Sequence, residues 1–348
     1  MKPIIKTKRN FYVSYLKGFA IISIMLIHLI DWSNRSLVDY QLYLRELLYP
    51  GVMFFIATAG SVIYLAYMKY NWRISTRKLF RRGSELVGLY FLYNIVKLYI
   101  YNFPSEPFYA GFTAANKLNL ISLLELKSFT VPITIILTIG ILLLVSPIFL
   151  WLARQKYPKL IFGGLIAALV VLNYLIPLPT NSLIDFLYAK NNVMFPLMLW
   201  LLPYLIGIYL AMIGLEKHKG KLLLLFSGLT ISAALAPFGN SGTLKLTDNM
   251  YPLELYYVCF SFAFMYLLIY IFYFLEKLSQ RFANFFLALF RLMGDSTLGI
   301  YLYHWLVIDL TLCLFFPKTV YIWLTVILFI AIYVGAKNKK LKEYYKNY

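Results

Sequence analysis

The chain has 348 residues, of which 61% are apolar or aromatic and 14% are charged, with 33 Lys and Arg against 14 Asp and Glu, a formal net charge of +19. Soluble domains carry roughly 25% charged residues, so a basic nucleic-acid binder, which needs a solvated surface, is excluded, as is disorder. The two cysteines, Cys259 and Cys313, both lie in apolar runs and read as small buried hydrophobes, not as a disulfide scaffold. What remains is an all-α, polytopic integral membrane protein.

Apolar runs of about 17–25 residues are long enough to cross a bilayer as helices. They predict about ten spans, at 12–31, 48–68, 84–102, 129–153, 160–176, 195–215, 222–238, 253–275, 296–316 and 319–336. The segment 282–295 reads as a short helix at the cytosolic interface before the ninth span. The first span lacks a small-residue cleavage site and is expected to stay in the protein. No internal repeat is visible, and residues 1–348 are expected to form a single transmembrane domain with no separate soluble one.

Placing both termini in the cytoplasm puts 23 Lys and Arg in the short inner segments and 7 in the outer ones. That bias follows the positive-inside rule and predicts a multi-pass protein of the cell membrane. The basic tail from Lys337 to Lys346 reads as topology and contact with anionic lipid. The longest loops, 103–128, 177–194 and 239–252, fall outside and either shape the mouth of a polar site or simply connect.

Ionisable groups within the spans are costly and mark candidate sites. Lys17 and His28 are eleven residues apart in span one. At about 100° per residue they share a helix face, about 16 Å apart along the axis. Asp31 follows His28 at i+3, where it would orient or charge-stabilise an imidazole. The bland alternatives are a snorkelling lysine and a helix-bridging histidine. Between spans two and three, Arg77 with Arg81 and Lys78 with Arg82 form two i,i+4 rows if that stretch is helical. Four such cations suit a polyphosphate, and by charge count alone they equally suit a membrane anchor. Lys97 needs a partner in the membrane; Glu85 and Asn94 are candidates, with Glu85 too distant for direct contact. His218 sits in a solvated turn and reads as inert. Arg291 and Asp295 read as a plain i,i+4 pair. Three scattered His and two Cys make no metal site, and no phosphate-binding Gly-rich loop of the ATPase kind is present.

The stretch Tyr15-Leu16-Lys17-Gly18-Phe19-Ala20-Ile21, with His28 beyond it, resembles the first helix of the transmembrane acyltransferase superfamily, which includes the acyltransferase-3 and heparan-α-glucosaminide N-acetyltransferase-like proteins. Phe54-Phe55-Ile56-Ala57-Thr58-Ala59-Gly60-Ser61 is similar to its second-helix motif, Phe80-Arg81-Arg82-Gly83 to its basic third-helix start, and Tyr301-Leu302-Tyr303-His304 to its late Tyr-x-x-His helix. The chain departs from the pattern at Lys17, where the family usually has Arg, and in the third-helix Arg-x-x-Arg, whose nearest match is Lys78-x-x-Arg81.

The resemblance implies an acyl-CoA donor, acetyl-CoA in the first instance, entering from the cytosol. Its acyl group would pass to a hydroxyl or amine of a carbohydrate or lipid-linked glycan, an O- or N-acetyltransferase reaction. Lys17, Arg77, Lys78, Arg81 and Arg82 would hold the donor phosphates. His28, polarised by Asp31, would act as general base or transient acyl carrier. Tyr301 and His304 would bind acceptor or oxyanion, although an interhelical hydrogen bond is the first expectation for His304. Membrane lipids are expected partners, nucleic acid and metal are not, and an oligomer is compatible with the sequence. The rival class is a secondary transporter with Lys17, His28, Lys97 and Asp309 along its path; its expected paired halves with broken helices are not visible in the sequence.

Overall fold

The computed structural model describes residues 11–33, 39–100, 133–175, 195–236, 242–250, 253–278, 281–315 and 332–333. Among the described residues every regular element is a helix. In chain order they are α1 (Phe11–Ser33), α2 (Asp39–Leu48), α3 (Pro50–Tyr67), α4 (Trp72–Ile100), α5 (Thr134–Leu152), α6 (Pro158–Val170), α7 (Leu197–Ile213), α8 (Lys219–Leu235), α9 (Leu246–Met250), α10 (Leu255–Lys277), α11 (Arg281–Asp295) and α12 (Thr297–Phe315). A π turn, Val171–Leu175, extends α6. Asn71 caps α4 by accepting from the Ile74 amide at 2.9 Å, which starts that helix well before its apolar part.

Among the described residues, five segments are long and apolar enough to cross a membrane: Phe11–Ile30, Gln41–Tyr67, Thr134–Leu152, Pro158–Leu175 and Leu255–Lys277. The pair α11–α12, bent by 78° at Ser296, would make a sixth. Helices α4, α7 and α8 occupy three more of the expected spans. The first eleven residues of α4 carry Arg73, Arg77, Lys78, Arg81 and Arg82, and α7 and α8 have 17 residues each, the lower end of the length that crosses a bilayer. The expected last span, 319–336, lies outside the described residues apart from Ile332 and Tyr333.

Close helix crossings organise the bundle, among them α3 on α7 and α1 on α11. A Cβ on Gly60 would fall on the Tyr204 carbonyl, and one on Gly207 on the Ala57 carbonyl, so α3 and α7 meet backbone to backbone. Ser61 bridges that crossing through a hydrogen bond to the Gly207 carbonyl at 2.9 Å. Small residues at such contacts let helices gain dispersion energy where lipid gives no hydrophobic drive. The second crossing joins α1 to α11: Gly18 lies against the Phe290 backbone and Gly294 against that of Ser14. Elsewhere α4 packs chiefly on α5, and α8 on α10. The main apolar core runs through α1, α3, α7 and α10, with Phe19 and Phe54 in ring contact at 5.7 Å.

Candidate active site

Helix α12 begins beside the start of α1, where the Ser14 hydroxyl donates to Asp295 at 3.1 Å. It then runs along α1 until His304 reaches His28. The imidazoles lie nearly parallel, with centroids 5.7 Å apart and planes 18° from each other. Trp305 closes one side of His28 at 4.3 Å, and Tyr301 stands edge-on to His304 at 5.2 Å. Helix α3 completes the wall with Phe55, 5.6 Å from the Tyr301 ring. His28 is part-buried, whereas His304 is only 1% exposed.

The tautomer of His304 follows from its surroundings. Its Nδ1 lies 3.2 Å from the Ile300 carbonyl, which can only accept. A neutral imidazole therefore carries its proton on Nδ1, leaving the Nε2 lone pair as an acceptor. Among the described residues, Nε2 is buried and has no hydrogen-bond partner. Such an orphan acceptor costs stability unless a guest satisfies it. A neutral imidazole lone pair next to a second imidazole and an indole can accept a hydrogen from a hydroxyl or amine.

The expectation that His304 would first of all bridge helices is therefore refined. Its Nδ1 bonds within its own helix, to the Ile300 carbonyl, and its other nitrogen faces the His28 group. Sequence reasoning missed this pairing, and it missed Trp305, whose position directly after His304 was the available signal. The Asp31 side chain and that of Lys97 lie outside the described side chains, as does Cys313. Lys17 is part-buried on α1.

The cations of α4 form a separate region. The helix is continuous from Trp72, so the expected rows Arg77/Arg81 and Lys78/Arg82 exist, and all four side chains are exposed. They are not bare. Arg81 and Arg82 both reach Glu85, at 2.9 and 3.5 Å, and Lys78 sits 3.7 Å above the Tyr70 ring centroid. Glu85 thus serves the arginines one turn before it, while Asn94 turns its amide to the Tyr90 carbonyl at 2.8 Å. A further cation, Arg154, donates to the Tyr70 and Leu150 carbonyls at 3.0 and 3.2 Å and ties the α3–α4 turn to α5. Burial draws its pKa down, yet a guanidinium stays charged.

Arg291 and Asp295 serve different partners: Arg291 stacks on Phe11 at 4.5 Å, and Asp295 takes the Ser14 hydroxyl. His218 is exposed in the turn before α8. Among the described residues no three His, Cys, Asp or Glu side chains converge on a metal-sized site.

Three of the four stretches that resemble the acyltransferase superfamily therefore meet in space: the α1 stretch through Phe19 and His28, the α3 stretch through Phe54 and Phe55, and the α12 stretch through Tyr301 and His304. No curated protein matches the chain. A family model described as an acyltransferase domain matches residues 10–336, nearly the whole sequence. The chain belongs to the acyltransferase-3 family of membrane proteins.

Proposed function

We propose that the protein transfers an acyl group, acetyl in the first instance, from acyl-CoA to a hydroxyl or amine of a glycan or other cell-envelope acceptor. The reading also takes the topology as ten spans with both termini in the cytoplasm, as the 23-to-7 distribution of Lys and Arg favours. The observation that carries it is the stacked pair His28 and His304, with the buried Nε2 of His304 lacking a hydrogen-bond partner among the described residues.

In the direct mechanism, His28 takes the proton of the acceptor hydroxyl or amine as that atom attacks the thioester carbonyl. The tetrahedral intermediate then expels the CoA thiolate by breaking its C–S bond. The imidazolium returns the proton to the sulfur. Asp31, one turn beyond His28, would favour the imidazolium while it exists. In the two-step alternative His28 attacks the thioester carbonyl, the C–S bond breaks and CoA leaves as its thiolate; the acceptor then attacks the acyl-His28 carbonyl, the C–N bond to His28 breaks, and His304 Nε2 takes the acceptor's proton, which passes on to the thiolate. In both, Tyr301 and Trp305 fix the imidazoles, and the wall of Phe55 and Trp305 keeps water from the thioester. Lys17 and the α4 cations Arg77, Lys78, Arg81 and Arg82 would hold the donor phosphates at the inner face.

The experiment is transfer or hydrolysis of labelled acetyl-CoA by purified protein in detergent or nanodiscs. Time-dependent release of CoA that needs His28 supports the reading. Absence of turnover together with absence of CoA binding at millimolar concentration would end it.

A further inference from the structure

A groove of about 280 Å³ lies at the end of the bundle where α1 begins and α10 ends. Tyr15 comes from α1, Glu276 from the last turn of α10, and Asn284, Leu287, Ala288 and Arg291 from α11. It is not on the acyl-transfer face. Lys17 is two residues from Tyr15, about 200° around α1, and His28 is thirteen residues from it, about 140° away. Both candidate site residues therefore point to the other side of that helix.

Among the described residues, the lining of the groove carries one carboxylate, Glu276, and one guanidinium, Arg291. The Tyr12 hydroxyl donates to Glu276 at 2.6 Å, and the Arg291 guanidinium rests 4.5 Å over the Phe11 ring. Both contacts position a charge and neither cancels it. A simple anion would face the Glu276 carboxylate, and a simple cation would face Arg291. A zwitterion satisfies both, with its phosphate on Arg291 and Asn284 and its ammonium on Glu276. At about 30 Å³ per water-sized unit, the volume has room for a phosphoethanolamine.

The place of the groove specifies the source of that zwitterion. It lies at the ends of two helices that are apolar enough to cross a membrane, beneath the strongly amphipathic α11. Phe274 and Phe285, in the helices that wall it, are 61% and 63% exposed and offer an apolar flank for acyl chains. We infer that the groove between Tyr15, Glu276 and Arg291 binds the head group of an amine-bearing zwitterionic phospholipid.

Native mass spectrometry of the purified protein, titrated with phosphatidylethanolamine, phosphatidylglycerol or water-soluble glycerophosphoethanolamine, tests this. The first lipid should bind at least tenfold tighter than the second and tighter than the free head group. Glu276→Gln should abolish the preference, and Ala288→Trp, at an exposed groove position, should block binding if the first variant does not fold. His28→Ala should retain the lipid, which separates this site from the acyl-transfer reading. Equal binding of the two lipids, a preference that survives Glu276→Gln, equally tight free head group, or displacement of the lipid by CoA would each overturn it.

Discussion

The histidine group and the α4 cations place their polar atoms under opposite conditions. His304 is almost inaccessible, its ring is fixed by Ile300 and Tyr301, and its remaining nitrogen has no hydrogen-bond partner among the described residues. Arg81 and Arg82 are 82% and 61% exposed at the side chain, and Glu85 already engages both. A buried orphan atom carries a large penalty that a guest relieves. An exposed ion pair is worth about 0–1 kcal/mol and exchanges partners readily. The first arrangement favours specific chemistry and the second favours reversible contact with a charged molecule. The two regions also sit on different helices, since α1 packs on α3 and α11 while α4 packs on α5.

The strongest challenge to this contrast is removal of His28. His28→Ala should lower kcat for acyl transfer by about 100- to 10,000-fold, the range for loss of a general base. Its folding should be kept, as judged by monodisperse elution and an unchanged thermal midpoint. Turnover within twofold of the parent would remove His28 from the mechanism. His304 sharpens the same point. His304→Ala should cost about 100-fold in kcat with KM nearly unchanged if Nε2 meets the substrate only during reaction. A purely structural histidine would lower the thermal midpoint and leave kcat of the folded fraction intact.

The α1 helix and the same-face relation of Lys17 to His28 were legible because helical periodicity needs only local spacing. The meeting of His28 with His304 was not, because no periodicity connects residues 276 positions apart. The stretch around Gly18 shows a related gap. Its resemblance to a family motif invites a catalytic reading of every member, yet Gly18 serves the backbone crossing with Phe290. Gly60 and Ser61 likewise belong to the α3–α7 contact. Charge counting found the α4 cations but not their state. Glu85, considered only as a distant partner for Lys97, is one turn after Arg81 and could have been assigned to it from spacing alone. The 78° bend at Ser296 has no Pro to announce it.

Packing supplies a test of intermediate size. Gly18→Ala would place a methyl group on the Phe290 carbonyl and push α11 from α1. Overpacking of this kind costs about 1–3 kcal/mol, so the thermal midpoint of the detergent-solubilised protein should fall. Because α11 leads directly into α12, displacement should also disturb the register of His304 against His28. Activity per folded molecule should therefore drop as well. Lost stability with full specific activity would show that the crossing and the histidine group are independent.

The smallest expected effect discriminates best for the cation surface. Glu85→Gln removes the carboxylate shared by Arg81 and Arg82 while keeping a side chain of the same length. If those arginines hold the donor's phosphates, the variant should bind CoA about two- to fivefold more tightly, because no exposed ion pair has to be broken first. Arg81→Ala and Arg82→Ala should each act in the opposite direction, with effects that shrink at high salt. The kcat should stay constant throughout, since none of these groups lies beside His28. If the cations only anchor the protein to anionic lipid, Glu85→Gln will leave CoA affinity unchanged. The three variants together therefore separate a donor site from a topological anchor, even though no single effect exceeds about tenfold.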